Sequence, residues 1–293
     1  MNIAQIVVTG LLAGGIYVLL TIPLNLMFGT MRIIHFAYGD FLMLAMFGGL
    51  LIARNTPFGI YSGGFALNLL LFVAVGVAAW FVLFRWLVDR SYTTQIMATL
   101  GIGIAFQNLA LMFLTANVQS VRTPLSVSSL QFADVFVGLP QLIAGVAGVT
   151  MGIGILLFLK RSSWGRAMQA IAQAKIGAQV VGIPLRRTYF VNVVLTTALV
   201  GLMGALLLPI FFVFPTVGLD FIVVAFVVVV LGGMGSIGGG IVAAIVVGLI
   251  QSFTASYLGI QWANVTYFAL FIVVLVVRPA GLGGIAGTEE LGH

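Results

Sequence analysis

The sequence predicts an all-α polytopic membrane protein with about 8–9 transmembrane helices, two of them short or broken, and one short cytoplasmic helix. Three observations carry this. The chain is 62% hydrophobic and 6% charged, against roughly 25% charged in a soluble domain. Apolar stretches near the length of a bilayer-spanning helix follow one another along it. Six of its twelve basic residues, Lys160, Arg161, Arg166, Lys175, Arg186 and Arg187, stand in one internal stretch.

The first span runs from Ile6 to Phe28 and contains Pro23 and Asn25. It has no basic leader and no cleavage site, so it reads as a span and not as a removable signal. A polar step, Arg32 to Asp40, leads into Phe41–Ala53, which is short for a crossing. Phe65–Phe84, Thr94–Leu114, Leu139–Leu159 and Tyr189–Phe214 are longer. Asp220–Leu231 is about half a span, broken at GGMGSIGGG (Gly232–Gly240). Ile241–Leu258 and Trp262–Val277 follow, and Arg278-Pro279 ends the membrane part. Residues 1–280 then form one transmembrane domain. The Gly-rich tail 281–293, with Glu289 and Glu290, is expected to be mobile.

Residues 160–187 read KRSSWGRAMQAIAQAKIGAQVVGIPLRR. Met168, Ile171, Ile176 and Val180 recur at roughly helical spacing, among alanines that favour helix. Ser162 and Ser163 can cap the start, and Gly182 before Pro184 marks a stop. Positive charge held between spans keeps such a loop in the cytoplasm. Arg85, Asp89, Arg90 and Arg32 then fall on the same side, and Arg54 and Arg122 outside. Counting Asp220–Gly235 as a crossing brings Arg278 inside, which the charge rule prefers. Thr115–Gly138, with Pro124, Ser126, Ser128, Ser129 and Asp134, is the longest polar external loop, a surface for an external partner or an ordinary connection.

The two short segments correspond. Both begin Asp-Phe (Asp40-Phe41, Asp220-Phe221), both end at paired glycines (Gly48-Gly49, Gly232-Gly233), and each follows a span with an internal proline. Interrupted segments in matching halves mark the substrate path in transporters built from repeats. Asn25, His35, Asp40, Gln107 and Asn108 lie in or beside spans, where polar groups are expensive. They line one cavity, or they hydrogen-bond neighbouring helices. The glycine run lacks the Lys and Ser/Thr of a phosphate-binding loop. It reads as a break between half-helices, whose amides hold a substrate carboxylate or only permit close packing.

Cysteine is absent, which excludes thiolate chemistry and disulfides. Only His35 and His293 offer imidazole, and no His/Asp/Glu cluster has metal-ligand spacing. No arrangement suits an intramembrane protease. The sequence supplies a pathway and a docking helix, without a motor of its own.

These residues resemble the membrane permeases of the high-affinity branched-chain amino acid ABC importers, which include urea and short-chain amide relatives. The resemblance spans IIHFAYGDFLMLAMFGG (Ile33–Gly49), TLGIGIAFQN (Thr99–Asn108), GRAMQAIAQAKIGAQVVGI (Gly165–Ile183), VLGGMGSIGGGIVAAIVVGLI (Val230–Ile250) and VVRPAGLGG (Val276–Gly284). It implies a permease in the bacterial inner membrane that pairs with a second homologous permease subunit, two cytoplasmic ATPases and a periplasmic solute-binding protein. No cofactor is expected on this chain, since ATP-Mg would bind the ATPases. Gly165, Arg166, Ala167, Met168, Ala170, Ile171, Ala178 and Gly182 would form the coupling helix. Asn25, His35, Tyr38, Asp40, Gln107, Asn108, Gly232, Gly233, Gly235 and Ser236 would line the path. Tyr38 stands where the family usually has His, and Asp40 where it usually has Glu. Another amino acid, an amide, urea or an aromatic acid therefore stays open as solute. A self-sufficient carrier or channel for a small neutral solute is the alternative, but it has no use for the basic helix.

Overall fold

The computed structural model describes residues 2–55, 63–121, 128–132, 135–278 and 280–284. Arg122, Pro124, Ser126, Asp134, Pro279, Glu289, Glu290 and His293 lie outside them. The chain is an all-α membrane protein. Seven helices among the described residues are long and apolar enough to cross a bilayer: α1 (Ile3–Met31), Phe65–Leu87, α5 (Tyr92–Phe113), α6 (Leu139–Arg161), α9 (Leu185–Leu207), α11 (Ile237–Tyr257) and α12 (Ile260–Val277). Phe65–Leu87 comprises α3 (Phe65–Ala79), a π-helical turn at Trp80–Phe84 and the single turn α4 (Arg85–Leu87). Two further helices stand outside these seven, α2 (Tyr38–Asn55), 18 residues long, and the shorter α10 (Val217–Gly232). At 16 residues, α10 is about 24 Å long, less than a hydrocarbon core of about 30 Å. α7 (Ser163–Gln173) and α8 (Lys175–Val180) follow α6.

The chain forms two compact units. The first comprises residues 1–25, 124–156 and 224–293. There α1 lies against α11 at Gly10, Gly14 and Gly248, and against α6 at Gly15, Gly145 and Gly148, so close that a Cβ would strike the facing backbone. In a bilayer, where lipid is as apolar as leucine, such close backbone approach is a main source of helix association. The Ser252 hydroxyl donates to the Ile6 carbonyl at 2.8 Å, and the Tyr17 hydroxyl to Gln251 Oε1. Part of the expected external loop is a hairpin of β1 (Ser129–Phe132) and β2 (Val135–Gly138), Ser129 opposite Gly138. Gln5 clamps it by donating to the Phe136 carbonyl at 2.9 Å and accepting from its amide at 2.7 Å.

The second unit comprises residues 26–123 and 157–223. α9 is the most buried of the long helices, with α2 and α3 packed along it. Asn68 of α3, fully buried, donates to the carbonyls of Ala45 on α2 at 3.1 Å and Gly201 on α9 at 2.7 Å. One amide thus ties three helices together where no water can serve. The ion pair Lys175–Asp89 at 3.3 Å joins α8 to the turn after α4. That puts two of the segments assigned to the inside by charge next to each other. Arg54 donates to Gln119, whose backbone pairs with Val213.

Candidate functional site

In the first unit, α10 ends at Gly232 and α11 begins at Ile237, so the break is only residues 233–236. Gly233 (φ 89°) and Gly235 (φ 86°) take the left-handed conformation, which glycine adopts without a Cβ penalty. Asn25 reaches the break from α1, its Oδ1 accepting from the Gly235 amide at 3.1 Å. Ser236 caps α11 by accepting from the Gly239 amide at 3.2 Å, and the Gly240 amide donates to the Ser236 carbonyl. Those donors have acceptors within the chain. Residues 280–284 fold back onto the break. Leu282 and Gly283 donate to the carbonyls of Leu231 and Gly232 at 2.8 and 3.0 Å. The tail, expected to be mobile from Gly281, is therefore tied down through its first described residues.

In the second unit, His35 and Tyr38 lie at the entrance to α2, both buried. The His35 ring packs edge-on against Phe41 and Phe84 at 5.3 and 5.2 Å, and its Nδ1 has no hydrogen-bond partner among the described residues. The Tyr38 hydroxyl points to Met203 Sδ at 3.7 Å. Asp40, in the first turn of α2, is 4% exposed. Its Oδ1 accepts from Gln107 Nε2 of α5 at 2.8 Å, and Oδ2 occupies the space a Cβ at Gly103 would need. Asn108 faces outward and donates to the Ile104 carbonyl of its own helix at 2.7 Å. Asp40 and Gln107 are thus brought together and His35 stands beside Tyr38, while Asn108 joins neither pair.

Sequence reasoning missed a ladder on α5. Gln95, Thr99, Gly103 and Gln107 recur at every fourth position, one helix face. Gln95 donates to the carbonyls of Leu87 and Arg90, both at 3.1 Å. The Thr99 hydroxyl accepts from the Phe36 amide at 3.3 Å. Spacing alone was the available signal.

The basic stretch forms two helices, not one. Ser162 caps α7, accepting from the Gly165 amide at 2.8 Å. The chain then turns extended at Ala174 (φ −151°, ψ 93°) before α8, and Gly182 ends it at φ 83°. Gly165, Met168, Ile171 and Ala178 are buried, and Gly165 lies directly on the backbone of Phe158 and Leu159. Ile171 and Ala178 share an apolar cluster with Met27, Met31, Trp80 and Leu87, against which Ala170 also packs. Ile176 and Val180, expected on the same stripe, are 77% and 82% exposed. They lie on α8, beyond the break at Ala174 that separates it from α7. Arg166 is also exposed, its guanidinium donating to the Arg161 carbonyl at 2.9 Å. Ala167 is half-buried, and Gly182 is exposed.

The profile of the family described as "Branched-chain amino acid transport system / permease component" matches residues 6–275. The high-affinity branched-chain amino acid transport system permease protein BraD of Pseudomonas aeruginosa is 26% identical, over 98% of this chain and 97% of that protein. The corresponding permease protein LivH of Escherichia coli is 27% identical over 96% of each. A probable branched-chain amino acid transport permease protein of Methanocaldococcus jannaschii is 24% identical over 92% of this chain and 88% of that protein. No solved structure matches the chain.

Proposed function

We propose that this chain, which belongs to the family of branched-chain amino acid transport system permease components, is the membrane subunit of an ATP-driven amino acid importer of the bacterial inner membrane. The near full-length family match carries this reading. A transport permease component is a non-enzymatic role, and the seven bilayer-length helices suit it. The partners would be a second homologous permease, two cytoplasmic ATPases that bind ATP-Mg, and a periplasmic solute-binding protein.

Coupling would run through α7 and α8. Gly165, Met168, Ala170, Ile171 and Ala178 anchor them to the chain's own helices. Arg166, Ala167 and Gly182, with the exposed Trp164, Ile176, Val180 and Val181, would meet the ATPase. A surface of this kind, apolar and edged by guanidinium, suits burial against a partner's groove. The path would pass the start of α2, where Asp40 and Gln107 are the polar groups within reach of a solute. His35, Tyr38 and Asn108 would shape it, while Asn25, Gly232, Gly233, Gly235 and Ser236 hold the α10–α11 break that alternating access would move.

The test is uptake of radiolabelled leucine into proteoliposomes carrying the assembled importer, with ATP in the compartment facing the ATPases. Uptake that requires both ATP and the binding protein is the expected result. Flux by this chain alone, indifferent to ATP, would overturn the reading in favour of a carrier. ATP-driven uptake of urea, an amide or an aromatic acid in place of leucine would keep the importer and change its solute.

A further inference from the structure

Asp40 is a buried carboxylate without a cation. Among the described residues the ion pair is Lys175–Asp89, so no lysine, arginine or histidine neutralises Asp40. A carboxylate at membrane depth costs about 2.5–3.5 kcal/mol on insertion scales, and a chain that keeps one there without a partner normally uses it. Two features of the fold offset part of the charge. The carboxylate sits in the first turn of α2, at the positive end of the helix dipole, and one neutral amide, Gln107, donates to Oδ1 at 2.8 Å. Neither supplies a full positive charge.

The arrangement is also built for the acid. Gly103 leaves open the volume that Oδ2 fills, and Oδ2 has no hydrogen-bond donor among the described residues. Because Gln107 turns its NH2 group to an acceptor-only carboxylate, its carbonyl Oε1 faces elsewhere and likewise has no donor there. Asp40 Oδ2 is therefore the acceptor left for a compact donor. Gln107 is half-buried, whereas Asp40 is buried. Phe41 and Phe106, the residues beside Asp40 and Gln107, pack edge to face at 5.3 Å and give the site an apolar wall.

We propose that Asp40 and Gln107 form a cation subsite that receives the ammonium group of the transported amino acid. The proposal rests on the importer reading above and adds what the path recognises. An ammonium carries three donors and no acceptor, which matches a buried carboxylate whose second oxygen has no donor of its own. A substrate whose amine is replaced by a neutral hydroxyl would leave the carboxylate without its counter-charge, and a site built on a buried charge rejects such an analogue.

The experiment uses the permease purified in complex with its partner subunits, without the solute-binding protein. Radiolabelled leucine is displaced by unlabelled leucine or by 2-hydroxy-4-methylpentanoate, the same skeleton with hydroxyl for amine. Wild type should prefer leucine by about tenfold or more, the scale of one charge-assisted hydrogen bond. Asp40→Asn should bring the preference to within about twofold, and Asp40→Glu should keep it. The ratio is internal to each variant, so incomplete assembly does not move it. Should Asp40→Asn fail to assemble, the same loss of preference is required of Gln107→Leu. An unchanged ratio in these variants overturns the proposal, as does leucine binding that follows sodium and not the amine. ATP-driven leucine uptake by wild type without any preference over the hydroxyl analogue sinks the subsite and leaves the importer standing. If the full importer with its binding protein shows no ATP-driven uptake of leucine, urea, an amide or an aromatic acid, the importer reading itself falls.

Discussion

Gly39 and Gly218 meet backbone to backbone, so that a Cβ on either would run into the carbonyl group of the other. The first turns of the two short helices, α2 and α10, therefore cross at their glycines. The contact brings together the segments that the Asp-Phe correspondence singled out, Asp40-Phe41 and Asp220-Phe221.

Replacing either glycine should separate the helix starts. We expect Gly39→Ala and Gly218→Ala each to destabilise the purified complex by about 1–3 kcal/mol, the usual range for overpacking. Gly154→Ala, where the added methyl meets nothing within 4 Å, should stay within about 0.5 kcal/mol of wild type. Thermal midpoints of the three variants provide the comparison. Equal midpoints would mean that the crossing relaxes freely.

Asn68→Leu removes two hydrogen bonds from a fully buried position. Interhelical hydrogen bonds in membranes average about 0.6 kcal/mol, so a loss of about 1–2 kcal/mol is expected. The variant should assemble but melt earlier, and scanning fluorimetry in detergent reads the shift.

The surface of α8 yields a separation of effects. Ile176→Asp with Val180→Asp alters exposed side chains, so assembly and melting should change little while ATP-driven uptake falls by about tenfold or more. Met168→Asp buries an unpaired charge at a position that is 1% exposed and should instead prevent stable assembly. A double mutant that transports normally would take α8 out of the coupling surface.

The Lys175–Asp89 pair should contribute little. Both side chains are exposed, and pairs of that kind are worth about 0–1 kcal/mol. Asp89→Asn is expected to shift the thermal midpoint barely, and the small effect should vanish in high salt. A large loss would assign Asp89 a role beyond its partner.

Much of the architecture was legible because bilayer solvation speaks through length and apolarity: spans such as Leu139–Leu159 correspond closely to α6 (Leu139–Arg161). Polar residues stranded in apolar runs were legible too, and Asp40 and Gln107 do meet. What could not be read was direction. Met168 and Ile176 look alike as letters, but one faces the chain's own helices and the other faces away. That outcome depends on the break at Ala174, where no glycine or proline announces it. Asn68 sat in plain view as a lone amide in FALNLLLF, but its two carbonyl partners lie 23 and 133 residues away. The fold-back of residues 280–284 was hidden because a glycine-rich segment gives no periodicity by which to place it.

That fold-back also imposes an order of events on biogenesis. The carbonyls of Leu231 and Gly232 receive the amides of Leu282 and Gly283, which a ribosome makes about fifty residues later, several seconds at ordinary elongation rates. Until then those two carbonyls lack the donors that the folded chain gives them. A ribosome stalled before that point would leave a chain whose spans are all present and whose glycine break is still open.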